Sequence, residues 1–411
     1  MPHRNPPDAP ICDRACWIGP ADEGSNPVNF PSTTVCCVLT GPRRLELREL
    51  PVPPVEPDSG LLRVDATGVC GSDVGFFGSD LSPRVLGHEV VGTIAALGRG
   101  AEERWGAREG DRVLLEEYLP CGHCAFCRTA DYRLCPASDV NATPGALRYG
   151  STPLSVPPAL WGGYSEYMYL HPRTIMHVLR PSIPSARAPL ALPIGNGFEW
   201  AVREGGTGPG SVVLIMGPGQ QGLGCVIAAK EAGAASVIVS GLRQDKHRLE
   251  VARQLGADHT LVADDGTDLV AALAGLTGGE LPDVVIDTAA GSETTLGAAL
   301  DAVRKRGVIV MPASVHRPLG NVAFYKLRQK HVTLKGVRGH SFQAVERAID
   351  VIGRGHPGIH AMSSLTVGLG DVETAIRGTA GELDQPVIHA VVIPDARDGG
   401  RAVAAQHPLE V

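Results

Sequence analysis

SVVLIMGPGQQGLGCVIAAKEAGA, residues 211–234, decides the fold. Residues 211–216 form a short apolar, β-branched run of the kind found in buried strands, and CVIAAKEAGA reads as an apolar helix with Gly233 near its close. Between them Gly217, Gly219 and Gly222 spell G-x-G-x-x-G directly after a strand and at the opening of a helix, the setting that gives this otherwise weak motif its meaning. Gly217 permits the tight turn, Gly219 lets the backbone approach a pyrophosphate, and Gly222 allows the helix to pack close on the strand, with helix N–H groups facing the phosphates. Gln221 lies in the same turn. A glycine-rich turn that binds nothing is the plainer alternative, and the strand–turn–helix context argues against it.

Downstream, strand and helix alternate: SVIVS, DKHRLEVARQLG, HTLV, a helical stretch near 268–276, DVVIDT, SETTLGAALDAVRK, GVIVM and VTLKG. Alternation of this kind predicts an α/β fold with a doubly wound parallel sheet, here over 191–337. Where such folds place an acidic residue for the ribose 2′-hydroxyl, the end of the second strand carries Gly241, followed by Leu242 and Arg243. No carboxylate stands there to repel a 2′-phosphate, and Arg243 and Lys246 can face one, so NADP is favoured over NAD. Asp245 keeps NAD open, and a solvated helix-start arginine is the ordinary fate of such a residue.

Upstream, 35–113 consists of short β-branched runs cut by Gly and Pro (TVCCVLT, RLELREL, LLRVDATG, EVVGTIAALG and DRVLLEE), which read as a compact β-rich domain. Two turns within it, GVCGSD at Cys70 and LGHEVVG at His88 and Glu89, bring thiolate, imidazole and carboxylate donors suited to zinc. An isolated GHE would more simply be a buried hydrogen-bonded pair. Next comes CGHCAFCRTADYRLC, whose Cys121, Cys124, Cys127 and Cys135 can surround one tetrahedral ion. Four thiolates leave no open coordination position, so this zinc would staple a loop, and chemistry must sit elsewhere. A Pro/Gly/Ser-rich segment, 139–163, precedes the strand-like WGGYSEYMYL. After Val337 two amphipathic helices (SFQAVERAIDVIGRG, DVETAIRGTAG) and a strand (PVIHAVVI) are expected to return to the β-rich domain, giving 35–190 with 338–411. Residues 1–34 read as an irregular extension in which Cys12 and Cys16 lack partner ligands; Cys36, Cys37 and Cys225 carry no assigned role.

Taken in order, GVCGSD, GHE, GDRV, the four-cysteine lobe, GGYSEY and GPGQQG resemble the zinc-dependent alcohol dehydrogenases of the medium-chain dehydrogenase/reductase superfamily, sorbitol and threonine dehydrogenases among them, over nearly everything after residue 35. The resemblance implies a GroES-like β-rich catalytic domain, a Rossmann domain, a cleft between them, two zinc ions per chain and a homodimer or homotetramer. It makes Cys70, His88 and Glu89 catalytic-zinc ligands and the four-cysteine lobe the structural site. It also gives Ser72 the substrate-oxygen hydrogen bond, Asn196 a place beside the nicotinamide and Val310 a carboxamide contact. Two positions depart from the pattern. Leu192 stands where a further ligand is often found, so a water would complete the set, and Gly75 replaces a relay histidine. Phe76, Phe77, Trp161 and Leu192 are candidates for the substrate side, with plain packing the equal alternative.

A net charge of -7 without any basic tract excludes a protein that tracks nucleic-acid phosphates. Lack of an eighteen-residue apolar run and of a signal-like apolar core points to a cytoplasmic protein. The implied activity is hydride exchange between an alcohol, or its aldehyde or ketone, and NAD(P). A zinc-independent reductase of enones or quinones, and a non-catalytic dinucleotide-binding protein, would share the fold.

Overall fold

The computed structural model describes residues 31–264, 266–289, 293–312, 318–320 and 322–394. Cys12, Cys16 and nearly all of the N-terminal extension lie outside them. From Ser32 onward the described residues form one compact unit.

Six strands make the parallel sheet, in spatial order His259–Val262, Ser236–Gly241, Val212–Met216, Val284–Asp287, Val308–Met311 and Thr333–Gly336. Counted along the chain this order is 3-2-1-4-5-6, the Rossmann arrangement, and the reversal falls between Val212–Met216 and Val284–Asp287. Both faces are covered, which is why these strands are apolar throughout. Val213 and Ile215 point into a core with Val226 and Ile227 of the helix Gln220–Glu231. Leu214 and Met216 point the other way, against Leu296 and Leu300 of the helix Glu293–Ala302.

A second, seven-stranded sheet runs Ser363–Val367, His389–Val392, Gly60–Gly68, Glu89–Leu97, Arg112–Leu115 and Met176–Val178, with Tyr167–Leu170 also paired to Gly60–Gly68. Its partners are antiparallel except Ser363–Val367 with His389–Val392. Val391 pairs with Gly68, so the C-terminal strands return to the sheet that holds Glu89. A small sheet of Arg44–Pro51, Thr33–Gly41 and Arg84–Val85 stands beside it.

Several elements differ from the sequence reading. ALPIGNG is the helix Ala191–Gly197, continued by a π-helical turn, Phe198–Glu204. A strand, Ser363–Val367, and a short helix, Tyr325–Lys330, are additional. Among the described residues no helix is long and apolar enough to cross a membrane.

Candidate active site

The helix Gly71–Phe77 begins immediately after Cys70, and Asp73, its third residue, accepts a hydrogen bond from the Cys70 backbone N–H at 2.9 Å. The other Asp73 oxygen accepts from Gly87 N–H at 3.4 Å and lies 3.6 Å from His88 Nδ1. One buried carboxylate therefore fixes both turns and orients the imidazole, the kind of outer support that metal ligands need. Ser72 Oγ lies 3.5 Å from His88 Nε2.

Glu89 opens the strand Glu89–Leu97 and is held by His389, whose Nε2 lies 2.9 Å from Glu89 Oε2. His389 Nδ1 is buried without a hydrogen-bond partner, so the proton sits on Nε2 and donates to the carboxylate, leaving Glu89 Oε1 for the cluster. Space for this contact comes from Gly68, where a Cβ would lie 2.2 Å from Glu89 Oε2. One ligand atom each from Cys70, His88 and Glu89 fall within 4.8 Å of one another. Burial disfavours the charged form of His88, yet Asp73 and Glu117 outweigh it and raise its pKa well above the usual value. Surroundings that favour a proton on this imidazole favour a metal cation there too, so the residues fit a metal in both donor chemistry and electrostatics.

Leu192 lines the same cavity of about 120 Å³, together with Glu117, Arg148 and His340. It supplies no donor, so a metal held by Cys70, His88 and Glu89 would keep a position open, as a catalytic site requires. The Glu117 carboxylate pairs with Arg148 at 2.5 Å. Burial opposes its charge, but Arg148 prevails and holds the Glu117 pKa at about 2.

The adjoining cleft, about 630 Å³, joins Cys70 and Ser72 to Asn196, Gly219, Gln221 and Gly222. It opens at the carboxyl ends of the parallel strands beside the reversal of strand order, where dinucleotides bind in such sheets. Gly222 is obligatory: a Cβ there would stand 2.0 Å from Gly217 O. Asn196 Nδ2 donates to Gln221 Oε1 at 3.0 Å.

Several expected contacts fall elsewhere. Val310 is fully buried in the sheet core, and Pro312, two residues on, lines the cleft. Phe77 is buried against Val38, Leu39 and Val85 because the short helix turns it inward. Trp161 is buried among Tyr149, Tyr169 and His171, its indole N–H donating to Val156 O at 2.8 Å. Phe76 borders a separate cavity with residues 140–147. Of the four proposed substrate-side residues, only Leu192 borders the catalytic cavity. Gly241, Arg243 and Lys246 lie beyond the cleft lining, which instead includes Arg248; Arg243 is bonded to Asp264 at 3.0 Å with its side chain 79% exposed.

In the lobe, Cys121 Sγ lies 3.9 Å from Cys127 Sγ, and Cys124 Sγ lies 3.5 Å from Cys127 Sγ. Backbone N–H groups of Cys121 and Cys124 donate to the sulfurs of Cys135 and Cys121. All four are free thiols with ligand atoms inside 4.8 Å, a spacing that fits one tetrahedral ion.

Residues 56–180 match the alcohol dehydrogenase GroES-like domain and residues 222–354 the zinc-binding dehydrogenase domain. A probable alcohol dehydrogenase of Mycobacterium tuberculosis is 38% identical over 372 residues, covering 87% of this chain and 97% of the relative. The chain belongs to the zinc-dependent alcohol dehydrogenases of the medium-chain dehydrogenase/reductase superfamily. Sorbitol dehydrogenase of Bacillus subtilis is 32% identical over 304 residues, 72% of this dehydrogenase and 79% of the relative. The solved alcohol dehydrogenase of Thermotoga maritima shares the fold, with a TM-score of 0.77 at 21% identity over 88% of this chain and all of that one. The GroES-like and Rossmann halves expected from sequence are thereby established.

Asp73, Glu117, His389 and the Arg148 partner were missed from sequence. Asp73 alone had a local signal, three residues after Cys70 at a capping position. His389 and Glu89 are 300 residues apart, and nothing in either segment announces the other.

Proposed function

We propose that this enzyme, an NAD(P)-dependent oxidoreductase acting on alcohol CH–OH groups, performs its chemistry at Cys70, His88 and Glu89. The observation that carries the reading is the convergence of these three donors, with Cys70 lining both their cavity and the cleft that reaches Gly219–Gly222. Zinc, when bound, supplies Lewis acidity toward a hydroxyl or carbonyl oxygen, and a nicotinamide supplies or accepts hydride. The chain's own residues orient and exclude. Ser72 hydrogen-bonds the substrate oxygen and shares its proton, Leu192 keeps the neighbouring wall apolar, and Asn196 and Pro312 position the ring face. A second zinc belongs to Cys121, Cys124, Cys127 and Cys135, away from turnover.

NADP is preferred over NAD in this reading. Gly241 presents no carboxylate to repel a 2′-phosphate, and the exposed Arg243 would exchange Asp264 for it, with Lys246 beside it. The catalytic half comprises 35–190 and 338–411 and the dinucleotide half 191–337, a division supported by membership of the two sheets. A homodimer or homotetramer in the cytoplasm completes the reading, by analogy with the family.

The test combines zinc analysis with initial rates on a panel of simple alcohols and polyols, using NAD⁺ and NADP⁺ in parallel. Two zincs per chain and turnover that is lost in Cys70→Ser, with dinucleotide binding retained, are expected. A Cys70→Ser enzyme of unchanged activity would overturn the assignment.

A further inference from the structure

Each alcohol oxidised releases one proton inside the cleft, and Gly75 offers no side chain to take it. His340 does border the catalytic cavity. Its Nε2 lies 2.7 Å from Glu116 Oε2, and Glu116 Oε1 lies 3.2 Å from His177 Nε2. His177 Nδ1 in turn lies 2.5 Å from Glu346 Oε1. Glu116 and His177 are completely buried, whereas the Glu346 side chain is 48% exposed. The string therefore begins on the cavity wall and ends in water. Its interior is shielded by Phe342, whose ring stacks on His177 at 4.2 Å.

We propose that His340, Glu116, His177 and Glu346 conduct the reaction's proton between the catalytic cavity and solvent, a role that rests on the alcohol-oxidation reading above. Both nitrogens of each imidazole face a hydrogen-bonding oxygen, so a ring with one bare nitrogen accepts a proton there and gives one from the other, and then turns to restore its starting tautomer before the next passage. Entry is at His340 Nδ1, which lies 2.9 Å from Asn196 Oδ1 on the cavity side. Asn196 Oδ1 accepts from Nδ1–H in the capped tautomer; transfer starts from the other tautomer, with the His340 proton on Nε2 and the bare Nδ1 open to a cavity water once the amide turns away. His340 Nε2–H then passes to Glu116 Oε2. The carboxyl turns about its Cγ–Cδ bond and gives the proton from Oε1 to His177 Nε2, while His177 Nδ1–H goes to Glu346 and on to water. Only N–H and O–H bonds are made and broken, and one proton leaves for each hydride transferred; carbonyl reduction runs the string backwards.

The charges keep Glu116 ionised between passages. Burial alone would raise the Glu116 pKa, but His340 and His177 outweigh it and hold this carboxyl well below its usual range. Burial likewise opposes a charged His177, and its bonds to Glu116 and Glu346 win, raising its pKa. Other groups facing the string include the Tyr132 hydroxyl, which donates to Glu116 Oε1 at 2.8 Å, the Tyr118 ring against His340, and Arg338 and the Glu117–Arg148 pair on the same cavity wall.

A purely structural strut would use the same hydrogen bonds, and buffer dependence separates the two. His177→Gln keeps an amide between the two carboxylates but cannot relay; Glu346→Gln alters only the exposed end. In weak buffer, kcat for alcohol oxidation should fall about 10- to 100-fold in His177→Gln and less in Glu346→Gln, within the usual range for acid–base groups. KM and dinucleotide affinity should stay unchanged, the solvent deuterium isotope effect on kcat should rise, and a concentrated small diffusible buffer should restore the rate whatever the change in Tm. Wild-type kcat in both variants at low buffer, or a loss that no buffer restores, would overturn the conduit. Absence of alcohol turnover in the wild-type enzyme would instead overturn the dehydrogenase reading on which it rests.

Discussion

Glu117 shows what single residues decide here. It neighbours Glu116 in the chain, yet one faces the catalytic cavity with Arg148 and the other is enclosed by two histidines. Breaking a buried pair such as Glu117–Arg148 leaves an uncompensated charge at a cost of about 3–5 kcal/mol. The folded pKa of Glu117, about 2, lies below its unfolded value of about 4.3. A depressed carboxylate contributes stability that is fully present above the unfolded pKa and is lost as pH falls through the folded one. Wild type should therefore unfold at a higher Tm than Glu117→Gln above about pH 4.3, with the gap closing as pH approaches about 2. A gap that is constant with pH would show that the pair contributes nothing electrostatically. Residue identity told part of this in advance: Cys70, His88 and Glu89 were recognisable by type and spacing, whereas an unremarkable glutamate became a cavity wall only through Arg148, 31 positions away.

At the scale of elements, the strands and the dinucleotide turn were legible because each is set by local rules: β-branched runs, period-3.6 faces and glycine punctuation. Ala191–Gly197 was not, since Pro193, Gly195 and Gly197 weaken any local helix signal. Its helicity is imposed by packing, with Ile194 and Leu192 in the core shared with Val345 and Val226. The turn itself gives a prediction. Gly222→Ala drives a Cβ onto Gly217 O, and overpacking of this kind costs about 1–3 kcal/mol. If the turn holds the pyrophosphate as proposed, dinucleotide Kd measured by calorimetry should rise by about tenfold or more, because the backbone that would meet it is displaced. Wild-type affinity would mean that the cofactor sits elsewhere.

For the whole molecule, the four-cysteine lobe is a test of how much a remote staple matters. Cys127→Ser should lower zinc by one ion per chain and depress Tm by more than about 5 °C, since structural zinc contributes directly to folding. A variant with full zinc content and wild-type Tm would refute the staple. The chemistry-bearing segments run from Cys70 to His389, and sequence alone determined the donors that lie close together in the chain: CGHCAFC, GVCGSD, GHE and G-x-G-x-x-G. Short-range motifs survive in sequence because their geometry is fixed by a few bonds. Only the tertiary structure decided that Gly68 makes room for His389 to hold Glu89, that Phe77 and Trp161 are core, and that His340, Glu116, His177 and Glu346 form one string. Those pairings join residues tens to hundreds of positions apart, and a hydrogen bond between distant segments leaves no periodicity in either one.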